Sequence, residues 1–152
     1  MEAWRTAVID EAKTWLRTPW HHAARIKGAG VDCGQFIIMT YINAGLVPPF
    51  ETGDYPADWM LHQEGERYLG WVEKYLDRVD VPQPGDVAAW RFGKCFSHGA
   101  IVLDWPLVIH AYRRERAVSY GDATKGELSR EHLASGGSAP REVRFYSIAG
   151  RI

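Results

Sequence analysis

Three residues carry the chemistry this chain has to offer: Cys33, His98 and His110. Cys33 closes the run Gly30-Val31-Asp32-Cys33 and opens the apolar stretch Gly34-Gln35-Phe36-Ile37-Ile38-Met39, so it falls at the N-terminus of an expected helix. A thiol there sits at the positive end of the helix dipole beside unpaired backbone N–H groups, which favours the thiolate and supplies donors for an oxyanion. The competing reading is a small buried hydrophobe. His98 and His110 lie in two β-rich runs joined by Asp104-Trp105-Pro106. Folding the chain back at that turn brings the two imidazoles side by side on one face. A nucleophilic thiol needs a base, and the base needs a third group that fixes its tautomer; Cys33, His98 and His110 could supply that set.

Two halves of different character must position these residues. Over residues 3–16, Trp4, Ala7, Val8, Ala12, Trp15 and Leu16 recur at three- and four-residue spacings, which predicts an amphipathic helix ended by Thr18-Pro19. Residues 20–30 read as a surface loop, and the Cys33 helix runs to residue 44 with Gly45 as its C-cap. Residues 47–50 are extended, 51–59 irregular, and apolar spacing over 62–76 predicts a further helix. After the turn Pro82-Gln83-Pro84-Gly85-Asp86, β-rich runs follow at 87–92, 98–103, 107–112, 117–120 and 143–148. The second and third are expected to pair as an antiparallel hairpin. Residues 121–140 are polar, with one short helix at 128–133. Helices first and an antiparallel sheet second make the fold class α+β, in a single domain over residues 1–152.

Composition narrows the partners. A net charge of −1 gives no footprint for wholesale nucleic-acid binding, and no polybasic block suggests a membrane surface. No run is long enough to span a bilayer, and charges interrupt residues 1–16, so synthesis in the cytoplasm without a signal peptide is expected. Cys33 and Cys95 are then expected as free thiols, Cys95 on the solvent side of the polar turn Gly93-Lys94-Cys95-Phe96. Two histidines and two cysteines are also a zinc ligand set, but no Cys-x-x-Cys or paired-histidine motif exists, so no metal and no cofactor is expected. His62 and His132 have no nameable partner, and Arg113, Arg114 and Arg116 read as a solvated hairpin turn.

At five places in order the chain resembles the NlpC-type peptidoglycan cysteine peptidases, which have a papain-like core. Thr18-Pro19-Trp20 is similar to the family's Thr-Pro-Tyr element, Gly30-Val31-Asp32-Cys33 to its Asp-Cys motif, and Pro84-Gly85-Asp86-Val87 to its Pro-Gly-Asp turn. Ser97-His98-Gly99-Ala100-Ile101-Val102-Leu103 resembles its His-Val-Gly-Ile-Tyr strand, and Val108-Ile109-His110-Ala111 its Ile-His-Ala strand. The resemblance implies N-terminal helices, with the nucleophile at a helix start, packed on a C-terminal antiparallel sheet. It implies cleavage of an amide bond in peptidoglycan stem peptides by Cys33, with His98 as its partner and His110 orienting His98. Trp20, His21, Asp32 and Gly34 would line the substrate site, with Asp32 free for a substrate amine; Gly34 and Trp20 stand where many relatives have Ser and Tyr. The absence of an export signal resembles the phage tail-associated branch, with tail-tip proteins as partners and the virion as location. Two alternatives stay open, a non-catalytic tail or wall-binding protein that keeps the fold, and a Cys/His acyltransferase.

Overall fold

The structure, a computed structural model, describes residues 1–55 and 67–152. Helix α1 (Ala3–Lys13) buries Arg5, Val8 and Ala12, and Trp15 just beyond it. A short ribbon of β1 (Arg25–Ile26) and β2 (Gly30–Val31) leads into α2 (Cys33–Asn43). The Asp32 carboxylate caps α2 by accepting the Gln35 backbone N–H at 2.9 Å, which satisfies one of the donors a helix start leaves unpaired. At its other end Gly45 takes φ +78°, a left-handed exit that suits glycine. Helix α3 (Arg67–Tyr75) follows, and the start of the helix expected over 62–76 lies outside the described residues, as does the 56–59 part of the irregular stretch.

The second half is a six-stranded antiparallel sheet of β3 (Asp77–Val79), β4 (Val87–Phe92), β5 (Cys95–Asp104), β6 (Leu107–Tyr112), β7 (Ala117–Asp122) and a late strand, β10 (Val143–Ser147). Their spatial order is β3-β10-β4-β5-β6-β7. The α+β expectation and the β5–β6 hairpin are both found. Three local expectations are corrected. β5 begins at Cys95, so that thiol is buried in a strand and not on the solvent side. The helix expected at 128–133 is a single turn, α4 (Gly126–Ser129), after which β8 (Arg130–His132) pairs with β9 (Ser138–Pro140). β3 was not anticipated, because Asp77-Arg78-Val79 shows no apolar alternation and gains its strand character from pairing with β10.

Alternation along the strands divides the core. Val87, Ala89, Ile101, Ile109 and Ala111 pack with Val8, Phe36, Ile37 and Tyr41 on the helix side. Ala88, Trp90, Ala100, Val102 and Val108 pack on the opposite face, under Ala123 and Leu128. A buried ion pair ties the helices to the sheet: Arg5 Nη1 donates to Asp86 Oδ1 at 2.8 Å and to the Pro84 carbonyl at 3.0 Å, and Tyr41 donates to the Gly85 carbonyl. Gly85, at φ +89°, has the Arg5 backbone 3.3 Å from where a Cβ would stand, so the Pro-Gly-Asp turn needs its glycine both for conformation and for room.

Two irregularities in β5 set up the site. Against β4 the register steps from Trp90↔His98 to Arg91↔Phe96, leaving Ser97 as the extra residue of a β-bulge. Against β6 the ladder runs from Asp104↔Leu107 to Ile101↔Ile109 and stops short of His98 and His110. The two strands are therefore unpaired beside both histidines.

Candidate active site

Cys33 lies where α2 begins, on the wall of a cavity of about 380 Å³ lined mainly by apolar side chains, among them Trp20, Ile37, Tyr68, Trp71 and Val72. The cavity also reaches Ser97, His98 and Tyr112. The Cys33 thiol donates to the Ser97 carbonyl at 3.4 Å. Backbone N–H groups of Cys33 and Gly34, the oxyanion-type donors expected of a helix start, meet the sulfur, and the Gly99 N–H from β5 joins them. The expected depressed thiol pKa is corrected. Burial, reinforced by the Asp32 charge, pushes the thiol up to about 12 against the opposing pull of those N–H groups. Desolvation outweighs the helix end here.

Asp32 does not stand free for a substrate amine. One of its oxygens caps Gln35; the other accepts from the Ala23 N–H at 2.8 Å and from the Tyr55 hydroxyl. Gln35, also buried, accepts from Arg25 Nε at 2.9 Å and donates to Thr52 and Tyr55. This network straps residues 50–55 across the start of α2. Sequence reasoning missed Gln35 and Tyr55, whose partners are distant in the chain. Of the two loop histidines, His22 lines the cavity and bonds the Tyr55 carbonyl at 2.7 Å, while His21 is exposed and packs on Gly30. Trp20 lines the cavity, with the Arg113 guanidinium 5.2 Å from its ring centre.

His98 and His110 are brought together as the hairpin predicted, with His98 Nε2 2.8 Å from His110 Nδ1. Their face differs from that of Cys33. Gly99 turns toward Ile37 and Tyr68 on the helix side, so its neighbour His98 turns the other way, among Trp90, Phe92 and Tyr112. Burial, with His110 and Arg141 adding smaller contributions, lowers His98 well below the usual histidine range, and burial lowers His110 to about 4. Both imidazoles are thus neutral at ordinary pH, and one donates to the other. Among the described residues no group of three or more His, Cys, Asp or Glu could hold a metal ion, and no helix is long and apolar enough to cross a membrane.

This fold is found among solved structures. The chain is similar to the NlpC/p60 domain of the peptidoglycan hydrolase SagA, with 22% identity and a TM-score of 0.54 over 79% of this chain and 90% of that one. The fold is NlpC/p60. An NlpC/p60 family protein from Bacillus cereus matches 82% of this chain at 23% identity and TM-score 0.57. A lipoprotein-like NLP/P60 family protein from Staphylococcus aureus matches 93% at 20% and 0.61. This chain spans 36% and 42% of those two longer proteins. No family model matches the sequence, and no curated protein does. Within the NlpC/p60 fold the polar half of the site, around Asp32, is fully paired, while the histidine pair sits across β5 from the thiol.

Proposed function

We propose that the chain is a cell-wall hydrolase that cleaves an amide bond in peptidoglycan stem peptides, with Cys33 as nucleophile and His98, oriented by His110, as acid–base partner. The observation that carries the proposal is Cys33 itself: a thiol at a capped helix start, ringed by backbone N–H donors, opening into a cavity large enough for a peptide segment. The NlpC/p60 fold and the hydrolase named among its neighbours support the substrate class.

Attack needs the thiol proton to leave for His98, so His98 has to reach the Cys33 side. The bulge offers a small route. If His98 replaces Ser97 as the extra residue, Ser97 takes the position opposite Trp90, and the flanking pairs Ala89↔Gly99 and Arg91↔Phe96 stay as they are. A one-residue change of register turns a side chain to the other face of a sheet. The unpaired stretch between β5 and β6 leaves room for it. Thiol and imidazole rest neutral, and charge separates only once His98 has crossed. The oxyanion then forms against the N–H groups of Cys33, Gly34 and Gly99, and His98 protonates the leaving amine and activates water against the thioester. The setting we propose, from the sequence resemblance, is a phage tail tip that carries the enzyme to the wall.

A second reading has its own observation. A thiol bonded to a carbonyl, with its histidine on the opposite face, also suits a wall-binding or tail protein that keeps the fold without turnover. Digestion of purified peptidoglycan with mass identification of the products separates the two. Release of stem-peptide fragments supports the hydrolase, and intact sacculi after prolonged incubation support the binding protein.

A further inference from the structure

Cys33 has a neighbour from a different element that the sequence resemblance does not account for. Tyr68, on α3, lines the same cavity, and its ring edge lies 3.4 Å from where a Gly34 Cβ would be. A Cβ on Gly99 would fall on the Tyr68 hydroxyl, so that hydroxyl occupies space which only a glycine at position 99 leaves open. Gly34 and Gly99 are the same two residues whose N–H groups point at the Cys33 sulfur. One phenol thus sits beside two of the three residues whose backbone N–H groups meet the reacting atom. Burial, together with the Cys33 and Asp32 charges, holds the phenol protonated far above its ordinary range, so it remains a donor at any working pH.

We propose that Tyr68 is a further catalytic residue, whose O–H donates to the negative charge built at Cys33, first on sulfur and then on the oxygen of the attacked carbonyl. The proposal rests on Cys33 being the nucleophile. In the attack the S–C bond forms, the carbonyl π pair moves to oxygen, and the thiol proton goes to His98. Tyr68 keeps its own proton throughout and contributes only a hydrogen bond, which weakens again when the C–N bond breaks and the carbonyl re-forms.

The test is Tyr68→Phe, which keeps the ring and removes only the oxygen, read in two ways. On purified peptidoglycan, kcat is expected to fall about a hundredfold with KM little changed, the size seen for loss of one oxyanion donor. In the second reading no wall substrate is used: alkylation of Cys33 by iodoacetamide at pH 8 is expected to slow several-fold, because the thiolate loses a donor, while the thermal melting point stays at the wild-type value. Equal alkylation rates in the two proteins overturn the proposal whether or not wild type digests sacculi, and so does an unchanged kcat where wild type is active. A wild type that digests nothing, combined with slower alkylation in Tyr68→Phe, overturns the hydrolase reading and leaves the Tyr68 contact supported.

Discussion

The two halves of the site are built in opposite ways. Around Cys33 the polar groups are strapped together: Asp32 caps α2 and holds Ala23 and Tyr55, and Gln35 holds Arg25 and Thr52. Around His98 the backbone is irregular, with an extra residue at Ser97 on one side and a stretch without ladder pairs to β6 on the other, and the imidazole is bonded to a second imidazole. The nucleophile half is locked by hydrogen bonds that must all break for it to move. The histidine half is held by apolar packing and an imidazole–imidazole bond beside an irregular backbone. That contrast can be broken from either side.

The largest effect is expected from His98→Gln. It removes the acid–base group while keeping an amide for the His110 bond, and turnover on peptidoglycan should fall by about a thousandfold or more, since general acid–base catalysis alone supplies roughly 10²–10⁴. Steady-state kinetics with a folded variant checks this, and a loss below tenfold would remove His98 from the reaction. Next is the pH dependence of stability. His98 and His110 take up protons in the folded chain only well below the unfolded value near 6.5, His110 at about 4. The unfolded chain therefore binds more protons between those limits. The stability His110 gives is complete above about pH 7, falls as pH drops from about 6.5 to 4 and levels off below that, a loss on the order of 3 kcal/mol, and His98 adds a loss of the same sign. Denaturant unfolding across that window measures it, and a His98→Gln/His110→Gln double variant should show a flatter curve. The smallest effect belongs to the locked half. Asp32→Asn keeps the helix cap but turns its amide NH2 toward the Ala23 N–H, which loses its acceptor, so it should cost about 1–3 kcal/mol. It also removes a charge that raises the Cys33 pKa, so Cys33 should alkylate faster at a fixed pH near 8.

How much of this was legible follows from the range of the interactions involved. The start of α2 was readable because the glycine-containing loop gives way at Cys33 to an apolar run, and the strands 87–92 and 107–112 emerged with their expected limits because their β-branched and apolar runs end at turn residues. The pairing of His98 with His110 followed from one hairpin. Which face they share did not, because that depends on where β4 places its bulge and on which strand residues α2 covers, and neither leaves a mark near His98. The same holds for Tyr68 and Tyr55, whose contacts lie 30 or more and 20 or more positions away, at Gly34 and Gly99 and at Asp32 and Gln35. The thiol's raised pKa escaped for a different reason: the helix-end argument is local, and burial is global.

The central claim is that Cys33 cuts an amide bond. Wild type and Cys33→Ala, each shown to melt at the same temperature, are incubated with purified peptidoglycan and the soluble products are identified by mass. The account predicts stem-peptide fragments, the two products of each cleaved amide together gaining one water, from wild type and none from Cys33→Ala. The same fragments from Cys33→Ala would contradict it.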